Sequence, residues 1–271
     1  MPFVAGARAA RWAYRQPGVR IGTMLGLRFC SLPLASLQRS QPVTVSWQAP
    51  PRPAGIPRAA VDLWWLDMRH GTPSEDFWAT LSPDEQARAE RFRFAQDRQR
   101  FVAGRGVLRR LIGRYLSLPP AEIGFTYNAS GKPSVPGHPP AVPLEFNTSG
   151  SADVALYAFS GGGCVGVDVE EIRPSIDWAE IAATVFPPSE ARYLARLPES
   201  DRCRMFYKHW TLREAFVKAQ GVGLSVPLPH VDFTPWVRGD PVFLTDASGV
   251  RWSCLSFEPT ENAVAALVVQ A

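Results

Sequence analysis

The sequence predicts an α+β fold of two similar α/β halves in a pseudo-twofold arrangement, preceded by a disordered leader rich in arginine and proline. Two observations predict the halves: a helix-start pattern at residues 82–88 recurs about a hundred residues later at 187–192, and short apolar runs separated by turns follow each helical stretch. A third observation predicts the leader, because residues 1–61 have no sustained helical or strand period.

The composition is that of a globular protein with a large core. The chain has 271 residues, of which 46% are hydrophobic and 20% charged, so collagen-like, coiled-coil and wholly disordered proteins are excluded. No apolar run reaches the ~18 residues of a membrane span, and we expect no membrane partner. The four cysteines are far apart in the sequence, which is typical of a reducing compartment and predicts a cytoplasmic protein.

The positive charge of the chain belongs to the leader. Residues 1–61 contain eight arginines and no acidic residue, so the net charge of +4 leaves −4 on residues 62–271, and nucleic-acid binding by the whole protein is disfavoured. The leader also resembles an organelle transit peptide. The alternative is an over-long start, with the protein beginning near Val61. The predicted parts are the leader (1–60), an N-terminal half (61–160) and a C-terminal half (161–271).

The first half begins with an aromatic strand at residues 61–67. Ser82 and Pro83 then supply a helix cap and a proline for the first helical position. The helical pattern runs on from there, resumes over residues 97–116 and is stopped by a pair of prolines.

The second half repeats this order. Glu85 precedes Asp97 by 12 positions and Glu190 precedes Asp201 by 11, so the two helical stretches correspond. Turn residues separate the apolar runs in both halves, among them three consecutive glycines at 161–163. The predicted strands are residues 123–127, 144–147, 154–159, 164–170, 242–244, 251–257 and 263–269.

Two acidic side chains share one face of a predicted strand. Alternation along the strand places Asp168 and Glu170 on one side and three valines at 165, 167 and 169 on the other. Adjacent carboxylates repel each other unless a cation lies between them, and hard oxygen ligands suit Mg²⁺ or Mn²⁺. The alternative is a solvated acidic end of a strand.

A third carboxylate lies on the predicted helix at residues 210–218. Glu214 and Lys218 are four positions apart and share a face of this helix. One interpretation makes Glu214 a third metal ligand and Lys218 a phosphate contact; the other is an ordinary surface ion pair. In the register of the repeat, Arg110 stands opposite Glu214, so we expect a single active site, in the cleft between the halves.

Together these stretches resemble the 4′-phosphopantetheinyl transferase family of the Sfp type. The family has a Gly-Val-Asp-Val-Glu strand, here residues 166–170, and a Trp-x-x-Lys-Glu-Ala-x-x-Lys helix, here residues 210–218 with Arg213 in place of the first lysine. Asp168 and Glu214 are 46 positions apart, as in the family. Further matches are residues 131–133, 146–151 and 221–225, and the resemblance covers approximately residues 61–271.

The resemblance implies transfer of the phosphopantetheine arm of coenzyme A to a serine of an acyl or peptidyl carrier protein, with release of adenosine 3′,5′-bisphosphate. By the family pattern Asp168, Glu170 and Glu214 hold Mg²⁺ against the pyrophosphate, which Lys218 also contacts. Glu190 matches a family position proposed to assist deprotonation of the serine; the alternative is a plain acid at a helix start. Glu214, Glu190 and Lys218 are therefore the candidate catalytic residues. Contacts to coenzyme A are expected from Arg88, Arg100, Lys132, Ser149, Asp168 and Lys218.

The sequence departs from the family pattern at two positions. Gly150 replaces the usual histidine between two serines, and Glu85 stands where many relatives carry a lysine near the nucleotide. A lost charged hydrogen bond costs roughly 1–3 kcal/mol, so we expect weaker binding of coenzyme A by an otherwise intact, monomeric enzyme. Three alternatives stay open: a Mg²⁺-dependent phosphohydrolase, a non-catalytic module that binds carrier protein or nucleotide, and nucleic-acid binding through the leader.

Overall fold

Two four-stranded antiparallel sheets lie face to face, and each carries one long helix on its outer face. The computed structural model describes residues 27–37, 45–46, 59–69, 75–136, 144–222, 231–238 and 243–271. None of the helices within these ranges is long and apolar enough to cross a membrane.

The first half contributes the N-terminal sheet, whose strand order is β1-β2-β6-β5, and a small separate hairpin of β3 and β4. Its elements are β1 Leu27–Pro33, α1 Leu34–Leu37, β2 Ala60–Asp67, α2 Glu75–Trp78, α3 Pro83–Glu90, α4 Ala95–Leu116, β3 Thr126–Tyr127, β4 Pro133–Ser134, β5 Glu145–Ser151 and β6 Val154–Ser160.

The second half contributes the C-terminal sheet, whose strand order is β7-β10-β9-β8. Its elements are β7 Val165–Glu171, α5 Trp178–Val185, α6 Pro188–Arg196, α7 Glu199–Gln220, α8 Thr234–Val237, β8 Leu244–Thr245, β9 Arg251–Thr260 and β10 Ala263–Gln270. In both halves a strand is followed by helices and then by a hairpin whose second strand pairs with that first strand. The predicted repeat of element order is therefore present, and the three glycines at 161–163 link the two sheets.

Alternation along the strands explains which side chains face the core between the sheets and which face the helices. On β2, Leu63 and Trp65 point into the core between the two sheets, whereas Trp64 and Leu66 point towards the helical side. On β7 the predicted three valines (165, 167 and 169) lie in the inter-sheet core and are fully buried. The opposite face of β7, which carries the acidic residues, is left for α7.

Most predicted elements are found, with shifted ends. The strand at 61–67, the helix start at Pro83 and the long helix to residue 116 are all observed. The predicted strand at 123–127 shortens to Thr126–Tyr127. Part of the predicted strand at 242–244 lies outside the described residues, as do residues 223–225 of the family match at 221–225.

The prediction that the whole leader is disordered is wrong for residues 27–37. Leu27–Pro33 pairs with β2 along its full length as the outermost strand of the N-terminal sheet. Its apolar side chains are buried, among them Cys30 and Leu32 in the inter-sheet core. Arg28, which interrupts the apolar run in the sequence, is exposed, although alternation along the strand places it on the same face as Cys30 and Leu32. Residues 1–26 lie outside the described residues.

Candidate active site

The predicted acidic strand and the predicted acidic helix are packed against each other. Gly166 on β7 makes this contact possible, because a Cβ there would lie 2.0 Å from the carbonyl oxygen of Ala215 and 2.4 Å from the amide nitrogen of Ala219, both on α7. The absence of a side chain lets α7 approach the backbone of β7 closely. Glu214 and Lys218 on α7 are thereby brought to the carboxylates of β7.

Asp168 is at the centre of this cluster and is only 3% exposed. Its Oδ1 accepts hydrogen bonds from Lys218 Nζ at 2.6 Å and from Ser149 Oγ at 2.7 Å. Its Oδ2 is buried and has no hydrogen-bond partner among the described residues. A buried carboxylate oxygen without a partner is costly, and it identifies a position where a ligand would be stabilised.

The three carboxylates interact unfavourably with one another. Burial raises the pKa of Asp168, and the ammonium of Lys218 opposes that rise. Burial, and then the charge of Asp168, raise the pKa of Glu170. The same two causes, with a further contribution from Glu170, raise the pKa of Glu214 to about 7. The site therefore has an excess of negative charge that a cation would relieve.

This donor set suits Mg²⁺ in its chemistry. Within the described ranges, however, no group of three or more His, Cys, Asp or Glu side chains is arranged so that it could hold a metal ion. Lys218 takes one oxygen of Asp168 and the other is unpartnered. The carboxylates are thus close enough to repel each other but do not converge on one point in this structure.

A groove of about 390 Å³ adjoins the cluster, and Ser149 belongs to both. Arg100 and Phe101 of α4 line this groove, as does Gly150 of β5. Arg100 also lines a second pocket of about 330 Å³, and its Nε donates to Asp153 at 2.8 Å. Two of the predicted coenzyme A contacts, Arg100 and Ser149, are therefore brought together in one groove beside the carboxylates.

Two further predicted coenzyme A contacts, Arg88 and Lys132, are not among the residues that line the groove. Arg88 is exposed, and its guanidinium lies 5.0 Å from the centre of the ring of Phe101 at the groove. Lys132 reaches across to the second half, where its Nζ donates to the carbonyl oxygens of Val165 at 3.3 Å and of Ala219 at 3.2 Å. In this structure Lys132 therefore caps the C-terminal end of α7, and burial lowers its pKa.

Glu190 is fully buried and its carboxylate is occupied. Arg213 donates to both oxygens at 3.1 Å, the backbone N–H of Phe233 donates to Oε1, and Nδ1 of His209 lies 3.2 Å from Oε2. The structure thus does not bring Glu190 to the carboxylate cluster. These contacts favour the alternative interpretation, an acid at the start of a helix, over a proton acceptor for a substrate.

The first half contains the same arrangement. Glu85 is 4% exposed and binds Arg105 and Arg109, with 2.6 Å between Arg109 Nε and Glu85 Oε2. The backbone N–H of Ser82 donates to the same carboxylate at 3.0 Å. The charge of Glu85 is therefore neutralised inside the fold, and the expectation that this position weakens coenzyme A binding stays a prediction.

Sequence reasoning overlooked Ser151 and Arg105. Ser151 Oγ donates to Glu170 Oε2 at 2.8 Å, and Arg105 lines the groove while it binds Glu85. A signal for Ser151 was present, because Ser149 and Ser151 alternate on β5 as Asp168 and Glu170 do on β7. Arg105 offered no comparable signal among so many arginines.

Comparisons with known proteins identify one family. Residues 164–268 match the family model of the 4′-phosphopantetheinyl transferase superfamily, and residues 72–160 match that of the 4′-phosphopantetheinyl transferase N-terminal domain. The 4′-phosphopantetheinyl transferase HetI of Nostoc sp. is 37% identical over 211 residues, which are 77% of this chain and 87% of that protein. The 4′-phosphopantetheinyl transferase Sfp of Bacillus subtilis is 32% identical over 155 residues, 57% of this chain and 66% of that protein.

The chain is therefore a transferase, an enzyme of group transfer. The chain belongs to the 4′-phosphopantetheinyl transferase superfamily, and the similarity to Sfp confirms the predicted resemblance. A solved holo-acyl-carrier-protein synthase of Thermotoga maritima also matches, with 23% identity, 40% of this chain and 62% of that chain covered and a TM-score of 0.26, which is too low to support an argument.

Proposed function

We propose that this protein transfers the 4′-phosphopantetheine arm of coenzyme A to a serine of an acyl or peptidyl carrier protein and releases adenosine 3′,5′-bisphosphate. The observation that carries the proposal is the cluster of buried Asp168 and Glu214 with half-buried Glu170 and Lys218, beside the groove that Ser149 and Arg100 line. Membership of the transferase superfamily supports the same reaction.

In this reaction the serine oxygen forms a bond to the phosphorus that bears pantetheine, and the bond from that phosphorus to the bridging pyrophosphate oxygen breaks. Negative charge grows on the leaving phosphate, where the ammonium of Lys218 stabilises it. The serine proton must pass to a base. Glu214 faces the cluster and is the carboxylate placed to accept it, whereas Glu190 is enclosed by its own partners.

Asp168, Glu170 and Glu214 would hold a Mg²⁺ ion, with Mn²⁺ as a substitute. The unpartnered Oδ2 of Asp168 and the mutual repulsion of the three carboxylates support this assignment. When bound, the ion would neutralise pyrophosphate charge and stabilise the oxygens of the transferred group.

The groove would take the nucleotide end of coenzyme A. Arg100 and Ser149 line it, and Arg88 lies at its margin against Phe101. Lys132 would join these contacts only after it releases the carbonyl oxygens of Val165 on β7 and Ala219 on α7.

We further propose a monomer that works in the cytoplasm, with two halves related by a pseudo-twofold axis and one active site. In the repeat register Arg110 takes the position of Glu214, and its guanidinium donates to the carbonyl oxygen of Asp76. The first half therefore has an arginine where the second has a ligand. No role in nucleic-acid or membrane binding is part of the proposal.

The test is intact-protein mass spectrometry of several apo carrier proteins incubated with this protein, coenzyme A and Mg²⁺. We expect at least one carrier to gain the mass of phosphopantetheine, and to fail to gain it with a chelator. Asp168→Ala and Glu214→Ala, checked for folding by circular dichroism, should transfer nothing. Release of adenosine 3′,5′-bisphosphate without any mass gain would instead support a phosphohydrolase.

A further inference from the structure

The two sheets meet at their edge strands β5 and β7, and side chains rather than a backbone ladder join them. The backbone N–H groups of β7 donate to side chains of β5: Val167 to Asn147 Oδ1 at 2.9 Å, Val169 to Ser149 Oγ at 3.3 Å, and Glu171 to Ser151 Oγ at 3.1 Å. In each pair the residues are 20 positions apart. We call these three contacts the seam.

The two serines of the seam have a second role. A hydroxyl can donate one hydrogen bond and also accept hydrogen bonds, and each serine does both. Ser149 donates to Asp168 Oδ1 at 2.7 Å, and Ser151 donates to Glu170 Oε2 at 2.8 Å. Each hydroxyl thus binds one oxygen of a carboxylate, and the second oxygen of each takes no part in that contact. Asn147 accepts from Val167, and its side chain binds no carboxylate within the part of the chain that the structure describes.

We propose that Ser151 is a positioning residue for Glu170 and that the seam sets the geometry of the metal ligands from the opposite half of the protein. The inference rests on the proposed function, since it concerns the ligands of the proposed metal ion. Ser151 is 7% exposed, so water cannot readily replace its hydroxyl. A hydrogen bond fixed at both ends holds Glu170 in one orientation, and such outer contacts tune metal affinity.

Ser151 is a cleaner probe than Ser149. Ser149 also accepts a hydrogen bond from Lys218 Nζ at 3.0 Å and lines the groove, so its substitution changes several contacts at once. Ser151→Ala removes only the donor to Glu170 and the acceptor for the N–H of Glu171. Ser151→Thr keeps the hydroxyl. Asn147→Ala is the matched control, because it breaks one contact of the seam without touching a carboxylate.

The experiment measures Mn²⁺ binding to the full chain in the presence of coenzyme A, by electron paramagnetic resonance of free Mn²⁺, together with the melting temperature of each variant. Loss of a residue that orients a ligand lowers metal affinity by about tenfold or more, and we expect this for Ser151→Ala. Ser151→Thr should restore most of the affinity. Asn147→Ala should lower the melting temperature but leave Mn²⁺ affinity within about twofold of the wild type, a much smaller change than the loss expected for Ser151→Ala.

Each outcome decides the proposal. Equal Mn²⁺ affinity of the wild type and a folded Ser151→Ala variant would overturn the role of Ser151 while leaving the transferase proposal intact. An equal loss in Ser151→Ala and Asn147→Ala would show that the seam acts only on stability, and would overturn it too. Absence of Mn²⁺ binding by the wild type would overturn both the metal site and this inference. If Asn147→Ala does not fold, Asn147→Ser replaces it as the control.

Discussion

Arg213 binds both carboxylate oxygens of Glu190 at 3.1 Å, and neither side chain is exposed. Arg109 binds Glu85 in the first half at the equivalent place in the repeat, since the paired residues are 24 positions apart there and 23 in the second half. The carboxylate cluster lies in the second half. An ion pair that is present in both halves therefore serves the fold that they share, and Glu190 is explained without a catalytic role.

This relationship predicts the behaviour of Glu190→Gln. Removing one partner of a buried ion pair leaves an uncompensated charge on Arg213, so the free energy of unfolding should fall by about 3 kcal/mol. The turnover number of the folded variant, measured at low temperature, should stay within a few-fold of the wild type. Urea unfolding and the mass-spectrometric transfer assay provide the two measurements.

Glu85→Gln is the matched control for that variant. It removes the counterpart in the first half and should lower stability by a similar amount with the same small effect on turnover. A Glu190→Gln variant that stays as stable as the wild type but loses turnover, while Glu85→Gln keeps it, would restore Glu190 as the proton acceptor.

Glu214→Gln should stabilise the protein while it abolishes transfer. Burial and the charges of Asp168 and Glu170 raise the folded-state pKa of Glu214 from 4.5 to about 7. The folded protein binds the proton of Glu214 more tightly than the unfolded chain does. The contribution of this protonation to the free energy of unfolding is therefore complete below pH 4.5 and is lost as the pH rises towards 7. Well above that pH and with a chelator, the neutral glutamine should raise the free energy of unfolding by roughly 1–3 kcal/mol.

Transfer by Glu214→Gln should fall by about a hundredfold or more, because a ligand and a proton acceptor are lost together. The two measurements are urea unfolding at low and high pH and initial rates of carrier modification. A variant that is less stable than the wild type at high pH would contradict the inferred repulsion among these three carboxylates.

Gly166→Ala should disrupt the site through packing. The new Cβ would lie 2.0 Å from the carbonyl oxygen of Ala215, so α7 must move away from β7 and carry Glu214 with it. Overpacking of this kind should cost at least about 2 kcal/mol, and transfer should fall as well. Gly124→Ala is the control, because a Cβ there meets nothing within 4 Å. Unchanged stability of Gly166→Ala would show that the contact of helix and strand is adjustable.

Gly150→His tests whether the groove lacks a donor for coenzyme A. A Cβ at Gly150 would lie 3.3 Å from the carbonyl oxygen of Val154, which is tight but requires only a small adjustment. The imidazole would enter the groove beside Ser149, and we expect coenzyme A to bind roughly tenfold more tightly. Titration calorimetry against Gly150→Ala, which isolates the backbone effect, measures the change. Equal affinity of the two variants would mean that other side chains already hold the nucleotide.

Local sequence patterns predicted the core of the site, because its residues lie within two short segments, one strand and one helix. Alternation alone placed Asp168 and Glu170 opposite the three valines of β7, and helical spacing placed Glu214 and Lys218 on one face of α7. The partner of Lys218 was not predictable in this way. Its ion pair is with Asp168 at 2.6 Å, since the close approach at Gly166 brings strand and helix together.

Features that depend on contacts between residues far apart in the sequence could not be predicted from it. The strand at Leu27–Pro33 has a broken apolar pattern, and only its pairing with β2 makes it a strand. The enclosure of Glu190 requires Arg213 and the backbone of Phe233, which lie 23 and 43 positions away. Such contacts form only once the chain has folded, so the sequence could place Glu190 at a helix start but not describe its surroundings.

Strand β1 has a practical consequence for any shortened version of this protein that starts at Val61. Without Leu27–Pro33, the backbone N–H and C=O groups on one side of β2 would lose their partners, and Ser31 would no longer donate to the buried carboxylate of Asp62. An unprotected, apolar edge strand recruits strands from other molecules. A fragment trimmed to the region shared with its relatives would therefore self-associate, even though every residue of its active site is present.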